Sequence, residues 1–363
     1  MKNKVAVIYN SFYDFRVRTF SIGGIQSYLH SLIGVLKRFF SEVVVFQSGE
    51  YSADVVMNDF RIVQICCKDA QDYITCIYKT EANIDLAIFA TYSMIPKNNP
   101  FSKSIAIQHG IDWDMPRMTS RPFLLMRLSK FRRDCRIIKK IKNVDGLVCV
   151  DYNFVNWLRS EVDRVDNKVF VIPNYTHIAS PFVKPSDSVN IIFARRFWWY
   201  RGTRVFTRAL LRLLNEGFNL NVTIAGSGPD EEWMKEQFKG YDCVSFISYS
   251  SNQSLAIHAD KHIAVVPTIG SEGTSLSLLE AMSAQCAVVC SDVGGMTNII
   301  LNGYNGIIVP SGSEDELYAA VKQLLLDGFK REQIANRGYD SVKEAFSFSR
   351  WEKEWTHVLS SFT

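Results

Sequence analysis

His262-Ile-Ala-Val-Val266 and the following Pro267-Thr-Ile-Gly-Ser-Glu-Gly-Thr-Ser-Leu-Ser-Leu-Leu-Glu-Ala-Met282 contain one complete strand–loop–helix unit. The first segment is an apolar run of strand length. The second is a polar loop with two glycines that leads into a helix from about Thr274 or Ser275. Strands that are apolar throughout and separated by helices predict parallel sheets buried on both faces. The stretch therefore predicts an α/β protein.

The same alternation recurs through most of the 363 residues. In the first half, strands are predicted at Val5–Tyr9, Val43–Gln47, Ile62–Ile65, Leu86–Phe89, Ser104–Gln108, Gly146–Val150 and Val169–Ile172. In the second half, they are predicted at Asn190–Ala194, Leu220–Ala225, Val244–Ile247, His262–Val266, Ala287–Cys290 and Gly306–Val309. Two such series predict two doubly wound, Rossmann-like domains. Because ligands bind beyond the carboxyl ends of such strands, we expect the domains to face across a functional cleft.

The domain limits follow from composition. We predict an N-terminal domain at 1–172, a linker at 173–186 that contains three prolines, and a C-terminal domain at 187–345. A last helix is predicted at 346–363. Its Trp351, Trp355, Val358 and Phe362 would share one face, and our hypothesis is that this face packs back across the domain junction.

Composition indicates a soluble globular protein, since 47% of residues are hydrophobic and 21% are charged. The sequence contains no apolar run of about 18 residues, the length that would predict a membrane-spanning helix. The N-terminus lacks the features of a signal peptide. The eight cysteines are scattered without a C-x-x-C pair, which favours thiols in a reducing compartment. We expect a cytoplasmic protein with no nucleic-acid partner.

Two carboxylates at the loop–helix junction suggest sugar binding. Glu272 precedes the helix, and Glu280 lies eight residues later. A carboxylate at the helix entrance can hold sugar hydroxyls, one in the first two turns can accept bonds from a ribose, and a helix N-terminus suits a phosphate. The alternative is an ordinary amphipathic helix with a capping and a solvated Glu.

This segment continues through Ser291-Asp-Val-Gly-Gly295 and Asn302-Gly-Tyr-Asn-Gly-Ile-Ile-Val-Pro310. Together they resemble the E-x7-E signature of the retaining GT-B glycosyltransferases of family four, the glycosyl transferases group 1. The resemblance implies that Glu280 holds the ribose of a nucleotide diphosphate sugar and that Glu272 holds its sugar. It also implies that the C-terminal domain binds the donor and the N-terminal domain the acceptor. The implied donor contacts at the helix entrance are Gly273, Thr274, Ser275 and Leu276.

A second matching element is Ile191-Ile-Phe-Ala-Arg-Arg-Phe-Trp-Trp-Tyr-Arg-Gly202. Arg196 and Arg201 fall on basic positions of the family, so the resemblance implies that they bind the diphosphate and neutralise its charge as it leaves. The alternative is that they are solvated surface residues. Arg195 stands where the family usually has Gly, and it either clashes or adds charge.

In the first half, Gly23 and Gly24 lie at the entrance of a helix predicted at Ser27–Phe40. Paired glycines there allow backbone N–H groups to approach a phosphate. The resemblance implies that they contact donor or acceptor, and it places His109 beside the reacting end of the sugar. A structural histidine is the alternative reading.

Asp112-Trp-Asp114 has the form of a metal motif of GT-A glycosyltransferases, but nothing else in the sequence supports that fold. We expect no metal and no cofactor.

The stretch Arg117 to Lys142 contains ten Lys/Arg and one acidic residue. A single apolar stripe is predicted along it, formed by Leu124, Leu128, Phe131, Cys135, Ile138 and Ile141. Two interpretations remain open: a core-facing helix with a solvated basic face, and a basic helix at 121–142 that contacts an anionic membrane from the cytoplasmic side.

The resulting prediction is a retaining, metal-independent transferase that moves a sugar from a UDP- or GDP-linked donor to a glycan or lipid-linked glycan acceptor. Bacterial surface polysaccharide biosynthesis (lipopolysaccharide O-antigen, capsule or exopolysaccharide) is the pathway implied by the resemblance. Alternatives are a catalytically silent GT-B subunit that activates a partner and a nucleotide-sugar epimerase. Acceptor pockets are expected in loops at about 10–22 and 48–60. Asn298 replaces a frequent Glu of the family and puts one substrate contact in doubt.

Overall fold

The computed structural model describes residues 2–21, 23–57, 59–67, 69–81, 83–111, 123–162, 168–180, 182–185, 187–270 and 272–362. The chain forms two compact units. The first comprises Met1–His109, Met118–Ile172 and Glu352–Thr363, and the second comprises Gly110–Arg117 and Pro173–Trp351.

The first unit contains an eight-stranded sheet in its described residues. Its elements are β1 (Lys2–Ile8), β2 (Tyr13–Asp14), β3 (Thr19–Phe20), α1 (Gly24–Leu36), β4 (Phe40–Gly49), β5 (Ala53–Met57), β6 (Phe60–Cys66), α2 (Ala70–Thr80), β7 (Leu86–Phe89), β8 (Ser104–Gln108), α3 (Phe123–Ile141), β9 (Gly146–Cys149), α4 (Tyr152–Glu161) and β10 (Lys168–Val171). The strand order is β10-β9-β8-β7-β1-β4-β6-β5, and only the pairing of β5 with β6 is antiparallel among the described pairs of this sheet.

The second unit contains a six-stranded parallel sheet in its described residues. Its elements are β11 (Val189–Ala194), α5 (Thr203–Asn215), β12 (Leu220–Ala225), α6 (Glu231–Gln237), β13 (Val244–Ile247), α7 (Ser254–His258), β14 (Ile263–Val266), α8 (Leu276–Ser283), β15 (Ala287–Ser291), β16 (Ile307–Val309), α9 (Glu314–Leu326) and α10 (Gly328–Ala345). The strand order is β13-β12-β11-β14-β15-β16. Helix α11 (Phe348–Ser360) begins in this unit and ends in the first.

Burial explains why the strands are apolar throughout. Ile191 and Phe193 of β11 pack into one apolar cluster, and Ile192 and Ala194 pack into another. Because successive side chains of a strand point to opposite faces, both faces of this sheet are covered. Every predicted strand is present, with boundaries shifted by three residues or fewer. The predicted α/β class with two Rossmann-like sheets is confirmed.

Several local predictions need correction. Residues 53–57 were expected in a loop but form β5, which pairs antiparallel with β6. A short antiparallel pair, β2 with β3, lies in the other predicted loop. Helix α1 starts at Gly24, three residues before the predicted start, and α8 starts at Leu276.

The segment predicted as a linker lies within the second unit, where the backbone N–H of Ala179 donates to Ser283 Oγ at 2.8 Å.

The four apolar residues predicted to share a face of the last helix, Trp351, Trp355, Val358 and Phe362, are buried. In the first unit, Trp355 Nε1 donates to the hydroxyl of Tyr28 at 2.8 Å. In the second unit, Trp351 lies 4.8 Å from Tyr175, measured between ring centroids. Packing of this helix across a domain junction stays a prediction.

Candidate functional site

The topology of the second sheet places its ligand site between two loops. Strands β11 and β14 are neighbours, and the chain continues from them toward opposite edges of the sheet. In open α/β sheets, this switch in direction leaves a crevice beyond the carboxyl ends of the two strands. The loop after β11 carries Arg195, Arg196 and Arg201, and the loop after β14 carries Glu272.

Arg195 is the first residue after β11, and its side chain is buried. Its Nη2 donates to Glu272 Oε2 at 2.6 Å, and its Nη1 donates to Ser277 Oγ at 2.9 Å. Of the two alternatives for Arg195, a clash or added charge, the structure favours added charge, because the guanidinium lies between the loop after β14 and the start of α8. Sequence reasoning had assigned the site arginines to positions 196 and 201.

Arg201 converges on the same carboxylate oxygen. Its Nη1 donates to Glu272 Oε2, and the side chain is 24% exposed. The next residue, Gly202, has φ +80° and is the N-cap immediately before α5. A Cβ there would lie 1.9 Å from the carbonyl oxygen of Pro267, so only glycine lets the two loops approach this closely.

Glu272 is held by its backbone and by its side chain. Thr268 Oγ1 donates to Oε2 at 3.2 Å, and the N–H of Gly295 donates to the Glu272 carbonyl at 3.1 Å. Gly294 has φ +56°, and a Cβ there would lie 1.9 Å from the same carbonyl oxygen. The glycine pair of the sequence motif therefore fixes the position of Glu272.

The electrostatic state of Glu272 follows from its partners. Burial acts to raise the pKa of this carboxyl, but the charges of Arg195 and Arg201 outweigh it and hold the pKa below its ordinary value. Glu272 is therefore ionised at neutral pH, in contact with two cations.

Glu280 lies on α8, and it is half-buried. Burial raises its pKa to about 7, although the nearby charge of Arg195 acts in the opposite direction. Arg195 thus interacts electrostatically with both carboxylates of the E-x7-E pattern. Burial raises the pKa of the nearby Tyr249 phenol to about 12, and the charges of Glu280 and Arg195 add smaller effects of opposite sign.

The four residues predicted as donor contacts at the helix entrance, Gly273, Thr274, Ser275 and Leu276, lie at the start of α8. Thr274 and Ser275 are buried, and the carbonyl of Thr274 accepts a bond from Asn174 Nδ2 at 2.8 Å. An α-helix leaves its first backbone N–H groups without intrahelical partners, so this entrance can donate to an anion.

Arg196 takes a different direction from Arg195 and is exposed. Its carbonyl accepts a bond from the N–H of Trp198 at 2.9 Å, which closes a tight turn. Binding of the diphosphate by Arg196 stays a prediction, whereas Arg201 lies directly at Glu272.

The first unit carries the other predicted site residues. Gly23 precedes α1 in an extended conformation, and its carbonyl accepts a bond from Ser27 N at 3.0 Å. Gly24 is exposed as the first residue of α1. Their contact with a donor or acceptor stays a prediction.

His109 follows β8 and is half-buried. Its Nε2 lies 2.9 Å from the carbonyl oxygen of Ala90, and its ring contacts Tyr28 edge-on at a centroid distance of 5.1 Å. Burial lowers the pKa of His109 to about 4. Because a carbonyl only accepts, Nε2 carries the proton in the neutral ring, and Nδ1 is left as an acceptor.

Asp112 and Asp114 lie outside the described residues. Within the described ranges, no group of three or more His, Cys, Asp or Glu side chains could hold a metal ion. None of the helices in the described part of the chain is long and apolar enough to cross a membrane.

Known proteins resemble the chain in both fold and sequence. The Anabaena protein HepE, solved in complex with UDP-glucose, matches with a TM-score of 0.73 over 99% of this chain and 99% of its own, at 13% identity. The chain therefore has the GT-B fold. Residues 188–327, within the second unit, match the profile of the family described as Glycosyl transferases group 1.

Sequence relatives match about half of the chain. An uncharacterized glycosyltransferase of Methanocaldococcus jannaschii is 30% identical over 176 residues, 47% of this chain and 45% of the relative. The phosphatidyl-myo-inositol mannosyltransferase of Mycolicibacterium smegmatis is 27% identical over 197 residues, 51% of this chain and 50% of the relative. The chain thus spans about half the length of the curated relatives it matches.

Several residues of the site were missed from sequence. Arg195 was treated as a departure, although a third cation beside two predicted ones was a usable signal. Ser277 and Thr268 carried no signal, because isolated hydroxyls are common in loops and helix starts. Tyr28 was not singled out, because its contact with His109 depends on the packing of α1 near the end of β8.

Proposed function

We propose that the chain is a retaining, metal-independent glycosyltransferase that moves a sugar from a nucleotide diphosphate sugar to a glycan or lipid-linked glycan acceptor. The observation that carries this proposal is the convergence of Arg195 and Arg201 on Glu272 Oε2 at the switch point of the second sheet. A site built from ionised groups suits a charged, hydroxyl-rich ligand better than an apolar one.

Each charged group has a proposed role. Arg201 is partly exposed and binds the diphosphate as negative charge develops on it, with Arg196 as a second contact. Arg195 is a positioning residue, because its bonds are directed to Glu272 and Ser277. The side chains of Arg195, Arg201 and Thr268 meet at Glu272 Oε2. In the proposed complex, the same carboxylate also accepts from hydroxyls of the donor sugar, since a carboxylate has about four lone-pair sites.

Glu280 is assigned to the ribose and His109 to the reacting end of the sugar. A histidine whose pKa is about 4 is neutral at pH 7, so it contributes a hydrogen bond rather than a proton. Retention of configuration is the outcome that the family resemblance implies, with the diphosphate leaving on the face that the acceptor approaches.

The comparisons with known proteins support glycosyl transfer in general, and they motivate the proposals on donor and acceptor. HepE was solved with UDP-glucose, which supports a UDP-linked donor. The mycobacterial relative is named for mannosyl transfer to phosphatidyl-myo-inositol, which supports a lipid-linked acceptor. Bacterial surface polysaccharide assembly is the pathway we propose on family resemblance.

Thermal shift against a panel of UDP- and GDP-sugars tests the proposal. We expect one nucleotide class to raise Tm and Glu280→Ala to remove most of that shift. Glu344→Ala, on the exposed side of α10, is the matched control and should keep it. Addition of EDTA should leave sugar transfer unchanged. A protein that binds no nucleotide would instead be a silent subunit, and one that converts the donor without an acceptor would be an epimerase.

A further inference from the structure

Helix α3 exposes a group of large apolar side chains. Leu125, Leu128 and Phe131 are 57%, 45% and 65% exposed. Their spacing of three residues puts them on neighbouring positions of one side of the helix. The core is contacted instead by Ile137 and Ile141, which are buried. The single apolar stripe predicted from the sequence is therefore wrong: Leu128, Phe131 and Cys135 are exposed, while Ile141 is buried.

The same side of the helix is cationic. Arg132, Arg136 and Lys139 are exposed, and α3 contains seven Lys/Arg against one acidic residue, Asp134. Asp134 is buried and accepts from Arg133 Nε at 2.9 Å and Nη2 at 2.7 Å. The negative charge of Asp134 is thus buried and paired with Arg133. It does not neutralise the cations on the exposed side of α3.

We propose that this α3 face, formed by Leu125, Leu128, Phe131, Arg132, Arg136 and Lys139, docks on the surface of an anionic lipid bilayer. Exposed apolar side chains grouped on one face of a folded protein indicate a contact surface. A helix that combines such side chains with Lys and Arg lies in the plane of the membrane interface, its apolar groups inserted and its cations at the headgroups.

Charge selects the lipid surface over a second copy of the chain. Two copies meeting through the α3 face would bring their Arg132, Arg136 and Lys139 groups together, and like charges repel. An anionic leaflet offers the opposite charge and an apolar layer just beneath it. The 19 residues of α3 extend about 28 Å, so the cations and the apolar group can engage one flat surface together.

Vesicle sedimentation of the full chain tests this surface. We expect binding to vesicles that contain phosphatidylglycerol, weaker binding at high salt, and little binding to pure phosphatidylcholine. Arg132→Glu combined with Arg136→Glu should lower the partition coefficient by about 25-fold or more, because each surface cation contributes roughly a factor of five. Leu128→Ser combined with Phe131→Ser should lower it by about tenfold or more through lost apolar burial.

Matched controls use residues with the same chemistry elsewhere. Phe329→Ser on α10 removes an aromatic side chain that is 72% exposed, and Lys239→Glu combined with Lys343→Glu reverses two exposed cations. These variants should bind like the wild type. The proposal is overturned if the wild type does not bind anionic vesicles, if the α3 variants bind as it does, or if the controls lose binding equally. It is also overturned if the α3 variants abolish dimerisation in sedimentation equilibrium instead. The assay contains no sugar donor, so its outcome is independent of the proposed transferase activity.

Discussion

The carboxyl edges of the two sheets share a switch in strand direction, but their candidate site residues differ in charge. In the first sheet, β1 lies between β4 and β7; in the second, β11 lies between β12 and β14, and both sheets change direction there. The second edge carries Arg195, Arg201 and Glu272, with their charged groups in contact. At the first edge, His109 is bonded to a backbone carbonyl, and its lowered pKa keeps it neutral.

This difference indicates what each edge can bind. Taking a charge out of water costs several kcal/mol, and the cost is offset only by good pairing and additional hydrogen bonds. The second edge meets that condition through Glu272, Ser277 and Thr268, which fits the proposed binding of a diphosphate there. At the first edge, His109 keeps Nδ1 as a neutral acceptor, which fits its proposed contact with a sugar hydroxyl.

The largest effect is expected at Glu272, because both Arg195 and Arg201 are paired with this one carboxylate. We predict that Glu272→Gln lowers kcat by about 10²–10³-fold, because a preorganised contact to the sugar is lost. It should also lower the free energy of unfolding by about 3–5 kcal/mol, since the buried Arg195 loses its counter-charge. Steady-state kinetics and urea unfolding measure the two effects. If Glu344→Gln has the same effect on kcat, the assignment of Glu272 is wrong.

The next effect separates the two arginines that share Glu272 Oε2. We predict that Arg201→Met lowers kcat/KM for the donor by about 10- to 150-fold, the range expected for one charge-assisted hydrogen bond, with little loss of stability. Arg195→Met should mainly lower the free energy of unfolding, because its side chain is only 5% exposed. Arg208→Met, exposed on α5, is the control. Equal effects of the two variants on kcat/KM and on unfolding would contradict the division of roles.

The sequence predicted the fold almost completely, because strands that are apolar on both faces and glycine-containing loops are local signals. Ile191 to Ala194 can be recognised as a strand without knowing what they contact. The antiparallel β5 was missed because its burial alternates between half-buried and exposed, which resembles a polar loop.

The candidate site was predicted less well, since the direction of a side chain after a strand depends on packing. Arg195 and Arg196 are adjacent and chemically identical, yet the first is buried at Glu272 and the second is exposed. Side chains along a strand point alternately to its two faces, and this alternation continues into the residues just after the strand. Two adjacent arginines there therefore point to opposite sides.

A smaller effect concerns pH and distinguishes the two carboxylates. Glu280 has a pKa of about 7, raised by burial, so it binds a proton in the folded state at pH values where the unfolded chain does not. Its contribution to stability therefore falls as pH rises from the ordinary Glu value of 4.5 through about 7. Because the ionised form accepts two bonds from a ribose, nucleotide affinity should rise about tenfold between about pH 6 and pH 8.

Isothermal titration calorimetry across this pH range measures the effect. Glu280→Gln should bind with an affinity that is nearly independent of pH. Glu272 should add no inflection in this range, because its pKa is lowered and it stays ionised. An unchanged pH dependence in Glu280→Gln would show that another group titrates.

The smallest expected effect is at the neutral His109. His109→Gln should lower kcat by about two- to twelvefold, the range for one neutral hydrogen bond, because the amide can still donate to Ala90 and accept from a ligand. The pKa of His109 is about 4, so this histidine should cause no inflection in the pH profile of kcat near pH 6.5. The profiles of the wild type and of His109→Gln should therefore have the same shape in that range. His357→Gln, exposed on α11, is the control. Loss of a pH inflection in His109→Gln would mean that this histidine exchanges a proton during the reaction. The contrast between a neutral His109 and the charged groups at Glu272 would then hold only for the protein without substrate.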